Sequence, residues 1–294
     1  MNRLFAYFAL AAALLIIACV DRAAAQSEES PGPTALLKDL DKTVAKNNGK
    51  SADPEPTPSP KPQRPMTWTG PYAGIYLGGN FANAVAHTST EFTNHYFNMV
   101  NPPVVSDTGR RSISPSGVNI GGQIGYNYQL RPHVVIGAEA DFGWMGGAKK
   151  SDDVTASYAF PPANSFAISQ SVGTDWFLTG RGRAGYIWHG ILIYGTGGVA
   201  MMNLNYEATF MDDFAAANES GSIKTTRLGW TGGIGGEYKL GPQFSIKLEG
   251  LYADLGRATT TSTNLTTSLG STDPFTHSVY LKQKFVRFGI NYHF

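Results

Sequence analysis

Apolar and polar residues alternate strictly over the last nine positions of the chain. Val286, Phe288, Ile290, Tyr292 and Phe294 are apolar or aromatic, and the residues between them are polar, charged or glycine. Successive side chains of a strand point to opposite faces, so this period of two predicts a strand with one apolar and one polar face. We expect that final strand to close a sheet against an earlier one.

The same alternation recurs from residue 68 onward and predicts seven further strands. The eight are expected at Pro71–Asn83, Gly117–Gln129, His133–Met145, Asp175–Trp188, Ile191–Ala208, Thr225–Leu240, Phe244–Leu255 and Val279–Phe294. For the fifth strand it is least clear which residues face outward. For its later part we expect Leu204 and Tyr206 outside and Asn203, Asn205 and Glu207 inside.

The connections between these strands alternate in length. Tight turns are expected at 131–132, 189–190 and 241–243, where Pro and Gly are common, and long polar loops near 84–116, 146–174, 209–224 and 256–278. An even number of strands with short turns at one rim and long loops at the other is the layout of an outer-membrane barrel. The pattern therefore predicts an all-β fold, an eight-stranded antiparallel up-and-down transmembrane barrel.

Charged residues of both signs recur on the polar faces of these strands. If they faced lipid, each Arg or Lys at the midplane would cost about 2–4 kcal/mol, and several would exceed the roughly 5–15 kcal/mol stability of a domain. They are therefore expected to pair across the lumen. The predicted lumen charge network is Glu139, Asp141, Arg181, Arg183, Arg227, Glu237, Lys239, Lys247, Glu249 and Arg287.

Composition agrees with a membrane protein that has no nucleic-acid partner. Charged residues are 15% of the chain and the net charge is +1, so no strongly acidic partner is indicated. Past residue 20 there is no run of 18 apolar residues, so strands would have to make any crossing.

The N-terminal region differs in composition from the rest of the chain. Residues 1–25 have the basic start, apolar stretch and small-residue end of a signal peptide cleaved before Gln26. The alternative is acylation of Cys19, because Ile16–Cys19 resembles a lipobox. Residues 26–67 are rich in proline and are expected to be largely disordered, either as a periplasmic tether that could engage peptidoglycan or as a linker without a specific role. Residues 68–294 would be the barrel.

No catalytic constellation or metal site is indicated, and no cofactor is expected. His87 and His95 fall among aromatic residues in the first long loop, where imidazole could bind haem iron, but an ordinary loop is preferred. His277 and Ser278 resemble the His–Ser pair of barrel lipases, yet no carboxylate is placed to complete such a site. The glycine runs at 195–198 and 232–236 lie within strands, so they are expected to make room in a tight lumen or to permit barrel curvature rather than to bind phosphate.

Several segments resemble a known family strand by strand. Residues 68–74 (WTGPYAG), 137–144 (GAEADFGW), 181–186 (RGRAGY), 194–200 (YGTGGVA), 247–249 (KLE) and the final Phe294 are similar to the small surface-antigen barrels of alphaproteobacteria, within the OmpA/OmpX-like eight-stranded class. The resemblance implies an outer-membrane location and insertion by the barrel-assembly machinery, with Phe294 as the assembly signal.

The function expected from the sequence is therefore structural or interactive. We expect a non-catalytic protein of the cell envelope, embedded in outer-membrane lipid, that presents surface loops. The alternative, which the family resemblance implies, is a small porin or a haem-binding outer-membrane receptor. Roles of this kind do not follow from the fold alone.

Overall fold

The computed structural model describes residues 67–92, 96–270 and 273–294. The predicted signal peptide, nearly all of the predicted tether, Cys19 and His95 lie outside these residues. The elements in chain order are β1 (Gly70–Thr90), α1 (Asn101–Thr108), β2 (Arg110–Ile113), β3 (Ser116–Arg131), β4 (Val134–Gly146), β5 (Lys149–Ser157), β6 (Ser165–Gly173), β7 (Trp176–Trp188), β8 (Ile191–Asp212), β9 (Asn218–Lys239), β10 (Phe244–Ser262) and β11 (Phe275–His293).

Eight of these strands close into an antiparallel barrel, which confirms the predicted fold. Their order is β1, β3, β4, β7, β8, β9, β10 and β11, and β11 pairs again with β1. The closing register runs from Tyr72 opposite His293 to Thr90 opposite Phe275. Among the described residues, no helix has both the length and the apolar character needed to cross a bilayer.

An apolar band surrounds the lower part of the barrel. Large apolar side chains on it face outward, such as Ile75 at 69% and Ile234 at 74% exposure. Aromatic rows bound the band near the short turns (Tyr126, Tyr186, Trp188, Phe244, Tyr292) and at the other side (Trp144, Trp176, Trp230, Tyr252). Trp176 and Tyr186 are ten residues apart, which at about 3.4 Å per residue and a tilt of about 40° gives about 26 Å. That height matches the apolar band of a membrane-spanning barrel.

The strands continue well beyond the second aromatic row, so the expected long loops are largely sheet. The loops expected at 209–224 and 256–278 shrink to residues 213–217 and 263–274, and the first two contain α1, β2 and the hairpin β5–β6. β6 pairs with the far end of β8, and β2 pairs with the far end of β1. We call the part of the barrel above the second aromatic row the crown. It comprises residues 82–92, 96–115, 147–175, 203–228, 255–270 and 273–283.

The predicted phase of β8 is wrong in the crown. Leu204 and Tyr206 are buried inside at 1% and 0% exposure, and Glu207 is exposed. The physical reason is the change of solvent along the strand. Below the aromatic row the outer face meets an apolar phase, whereas above it the outer face meets water, so the apolar side chains turn inward.

Candidate functional sites in the lumen and the crown

Eight of the ten charged residues predicted for the lumen form one connected group. They come from five strands, and each is at most 5% exposed. The members are Glu139 and Asp141 on β4, Arg181 and Arg183 on β7, Glu237 on β9, Lys247 and Glu249 on β10, and Arg287 on β11. Four carboxylates and four cations make the group formally neutral.

Arg181 is the centre of this group. Its Nη2 lies 2.5 Å from Glu139 Oε1 and 3.0 Å from Asp141 Oδ2. Its Nη1 lies 3.1 Å from Glu249 Oε1. A planar guanidinium with five N–H donors suits such a position, because it can engage several carboxylates at once.

The remaining cations extend the group along the barrel axis. Arg183 joins Glu237 at 2.7 Å and Glu139 at 3.4 Å. The ammonium of Lys247 lies 3.0 Å from Glu139 Oε2. On the other side, Arg287 Nη1 lies 2.8 Å from Asp141 Oδ1.

Tyrosine hydroxyls donate hydrogen bonds to three of the four carboxylates. Tyr72 donates to Glu139 at 2.6 Å, Tyr76 to Asp141 at 3.3 Å and Tyr194 to Glu249 at 3.0 Å. These three tyrosines were not predicted as members of the site, although their positions on the polar faces of β1 and β8 were a signal for them.

Inward-facing glycines make room for those phenol rings. A Cβ at Gly125 would collide with the Tyr72 ring, one at Gly121 or Gly143 with Tyr76, and one at Gly235 with Tyr194. For Gly235, within the run at 232–236, this agrees with the expectation that strand glycines provide space in the lumen. The interior of this segment is therefore filled by interlocking polar and aromatic side chains.

Arg227 and Lys239 do not belong to the network, contrary to the prediction. Arg227 lies on β9 just beyond its last pair with β10, and its guanidinium donates to the carbonyls of Leu255 and Arg257. Lys239 lies at the short-turn end, where its ammonium donates to the Thr67 carbonyl and lies 5.1 Å from the centre of the Trp68 ring. Both residues face inward by phase, but they are too far along the barrel to reach the central carboxylates.

Trp68 closes the short-turn end of the lumen. It is 4% exposed and belongs to a buried apolar cluster with Val135, Leu192 and Tyr194. Phe294, by contrast, is outside the lumen. It is 71% exposed, and its N–H donates to the Pro71 carbonyl at 3.2 Å, which ties the chain terminus to the start of β1.

A buried polar layer crosses the crown between two apolar clusters. His277 Nδ1 lies 3.1 Å from Thr88 Oγ1, and its Nε2 lies 3.0 Å from Glu219 Oε1. Ser262 donates to the same carboxylate oxygen. Gly221 makes this possible, because a Cβ there would collide with the His277 ring. Sequence reasoning missed Glu219, which lies 58 residues from His277 and meets it only in the folded barrel.

The His277–Ser278 pair, which the sequence analysis considered and disfavoured, differs from that description in two respects. Adjacent residues of a strand point to opposite faces, so Ser278 faces outward while His277 is buried. A carboxylate does accompany His277, but the side chains of both His277 and Glu219 are 0% exposed. The cluster is therefore enclosed within the protein rather than open to lipid or water.

Asp212 organises the tip of the crown. Its Oδ1 accepts the N–H groups of Ala215 and Ala217, and its Oδ2 accepts the hydroxyls of Tyr96 and Tyr158. Burial and this hydrogen-bonded carboxylate both raise the pKa of the two tyrosines. Both phenols therefore stay neutral donors well above neutral pH, and they join the β1–β2 and β5–β6 connections to the β8–β9 turn.

His87 is occupied by a local contact. It lies on β1, and its Nε2 is 3.1 Å from the carbonyl oxygen of Ser106 in α1. This contact ties the helix to the strand. His95, the other histidine considered as a haem ligand, lies outside the described residues.

Comparison with known proteins identifies a family and several relatives. A model of the outer membrane protein beta-barrel domain family matches residues 63–294. Over 196 residues the chain is 34% identical to the 31 kDa outer-membrane immunogenic protein of Brucella melitensis, which covers 65% of this chain and 73% of that protein. Over 136 residues it is 29% identical to the 22 kDa outer membrane protein of Rhizobium leguminosarum bv. viciae, covering 46% and 52%. Among solved structures, the outer membrane protein OprG of Pseudomonas aeruginosa is similar at 13% identity and a TM-score of 0.42, covering 77% of this chain and 97% of OprG.

Replacing the central cation of the lumen should destabilise the barrel strongly. We expect Arg181→Ala to lower the free energy of unfolding by about 3–5 kcal/mol, because three buried carboxylates lose their shared partner. Urea unfolding in lipid vesicles measures this loss. The matched control is Arg131→Ala, an exposed arginine at a tight turn, which should change the value by at most about 0.5 kcal/mol. Equal effects of the two substitutions would contradict a central role for Arg181.

Proposed function

The chain belongs to the outer membrane protein beta-barrel domain family and lies in the bacterial outer membrane, and we propose that it is a sealed, non-catalytic barrel that presents its crown as an interaction surface. The observation that carries the proposal is the filled interior. The neutral charge network occupies the membrane-spanning part of the lumen, and Trp68 covers the short-turn end.

The interior of the crown supports sealing at the other end. It is packed with small and large apolar side chains, among them Ala84, Ala86, Leu255 and Leu281, each 0% exposed. A water-filled pore needs a continuous polar path of adequate width, and fully buried side chains leave no room for one. This packing favours a plugged barrel over the small porin considered as the alternative.

The outer surface of the crown is the part available for recognition. Large apolar side chains are exposed at its tip, with Met99 at 74%, Phe160 at 64%, Leu269 at 64% and Phe214 at 50%. All four connections contribute one of these residues. Exposed apolar groups supported by a rigid sheet are typical of protein interaction sites. The word immunogenic in the name of the Brucella relative supports display at the cell surface.

Enzymatic and haem-binding roles have less support. The most enzyme-like cluster, around His277 and Glu219, is enclosed on all sides, so a substrate could not reach it without rearrangement of the crown. At His87, Nε2 is occupied by its contact with the Ser106 carbonyl, so that nitrogen is not free to bind haem iron. These contacts favour a structural or interactive role.

The partners expected from the sequence remain part of this proposal. The apolar band would contact outer-membrane lipid, and the barrel-assembly machinery would insert the chain. An engagement of peptidoglycan by the segment at 26–67 stays a prediction, because that segment lies outside the described residues apart from Thr67.

Planar bilayer recordings test the sealed interior. We expect the purified full-length protein to produce no stepwise conductance above membrane leak, because the charge network fills the lumen. A large porin reconstituted by the same procedure serves as the positive control. Reproducible conductance steps from the unmodified protein, absent from a mock purification, would overturn the sealed barrel and favour the porin.

Removal of the terminal aromatic residue tests its proposed role in assembly. Deletion of Phe294 should lower the yield of folded, heat-modifiable barrel in the outer membrane, because the machinery would lose the end of the strand it reads. The control is Phe160→Ser, which changes an exposed phenylalanine of the crown and should leave the yield unchanged. A normal level of folded barrel after the deletion would show that Phe294 is not an assembly signal.

A further inference from the structure

Three cations cluster on the outer surface of the barrel just above the second aromatic row. Lys284 and Lys282 lie on β11 opposite Tyr252 and Asp254 of β10, and Arg257 of β10 lies opposite Tyr280. Lys284 and Arg257 are exposed and Lys282 is half-buried. Alternate residues of a strand are about 7 Å apart, so the three charged groups can converge on one ligand.

The position of this cluster is set by the apolar band. Trp230 and Tyr252, whose ring centres are 5.4 Å apart, belong to the aromatic row that marks the outer edge of the band. Lys284 lies beside Tyr252, and Lys282 and Arg257 lie farther into the crown. Aromatic rows sit at the level of lipid headgroups. The three cations therefore lie where the headgroups of the outer leaflet begin.

A bulge in β10 turns Arg257 outward. The register shifts between Asp254 and Arg257, and Gly256 has a φ of 70°, a left-handed conformation that favours glycine. Leu255 and Ala258 are both buried, whereas Arg257 between them is exposed. Regular alternation after Leu255 would have pointed Arg257 into the lumen.

Arg227 holds this bulge in place. Its Nη2 donates to the Arg257 carbonyl at 2.7 Å and its Nε to the Leu255 carbonyl at 3.4 Å. Both carbonyls lie where β9 and β10 no longer pair, so the guanidinium replaces the missing strand contacts. Arg227, which the sequence analysis wrongly assigned to the lumen charge network, thus orients a cation on the outside.

The neighbouring acid is already engaged. Asp254 Oδ2 accepts the Tyr280 hydroxyl at 2.5 Å and Oδ1 accepts the Gly256 N–H at 3.0 Å. Lys282 instead lies 5.1 Å from the centre of the Tyr280 ring. With one carboxylate against three cations, the patch carries a net charge of +2 and complements an anion.

We propose that Lys282, Lys284 and Arg257 form a binding site for the phosphate groups of an outer-leaflet glycolipid. Lys and Arg are the side chains suited to phosphate oxygens, Arg as a planar fork and Lys as a point charge. The acyl chains of the same lipid would lie along the apolar band below, beside Trp230 and Tyr252. Continuity with that band commits the site to a membrane lipid rather than to free phosphate.

Native mass spectrometry of the full-length protein in detergent tests the site, with bis-phosphorylated lipid A as the probe. We expect the triple variant Lys282→Gln, Lys284→Gln, Arg257→Gln to bind about 100-fold more weakly than the unmodified protein, from about fivefold per cation lost near a charged membrane surface. The matched control is Lys150→Gln, Arg131→Gln, Lys224→Gln, which removes three exposed cations away from the site. It should bind within about twofold of the unmodified protein.

Two further arms separate the possible ligands. Lipid A stripped of its phosphates should bind no better to the unmodified protein than to the triple variant, and inorganic phosphate at 100-fold molar excess over the lipid should not displace the bis-phosphorylated form. Heat-modifiability checks that each variant is folded, and Lys284→Gln alone, expected to lose about fivefold, replaces the triple variant if that one fails to fold. Equal binding by variant and unmodified protein, undiminished binding of the phosphate-free lipid, or displacement by free phosphate would each overturn the proposal.

Discussion

The structure depends on charge pairing inside a narrow cylinder. An Arg or Lys on the strands of the lower barrel must face either lipid or lumen, and lipid costs about 2–4 kcal/mol for each one near the midplane. Facing inward is tolerable only if every charge finds a partner, and the four carboxylates and four cations around Arg181 meet that condition. The glycines that admit Tyr72, Tyr76 and Tyr194 follow from the same constraint, because the tyrosine hydroxyls reach the carboxylates only where a facing strand has no side chain.

A change of solvent along the strands explains why the barrel and its crown differ. Within the apolar band the arrangement of a soluble protein is inverted, with charged side chains in the lumen and aliphatic side chains on the outer surface. Above the aromatic row the usual rule of soluble proteins returns, and β8 changes accordingly, from Val199 outside to Leu204 and Tyr206 inside. At the boundary between the apolar band and the crown, β9 and β10 stop pairing, and the cations of β11 lie on the outer surface. The proposed lipid site and the sealed lumen therefore arise from one geometric feature, the height at which the membrane ends.

Much of the fold could be predicted from the sequence, because period-two alternation depends only on local neighbours. It identified all eight barrel strands and the inward phase of Glu139, Arg181 and Arg287. It could not find where the membrane ends, so Tyr206 was assigned to the wrong face. The alternation shows which face of a strand a residue lies on, but not its position along the barrel axis. For this reason Arg227 and Lys239 were placed in a network that they do not reach. The contact of His277 with Glu219 depends on three-dimensional closure and carries no local signal.

The most direct test of the central role of lumen charge pairing is a double-mutant cycle across the barrel. Asp141 on β4 and Arg287 on β11 are far apart in sequence and joined at 2.8 Å, and both side chains are almost fully buried. Unfolding free energies of Asp141→Asn, Arg287→Gln and the double variant, measured in the same vesicles, give the coupling between them. We expect a coupling of about 2 kcal/mol or more, since contacting groups in one network couple by 0.5–3 kcal/mol. Additivity within about 0.3 kcal/mol would contradict the claim that paired lumen charges hold the barrel together.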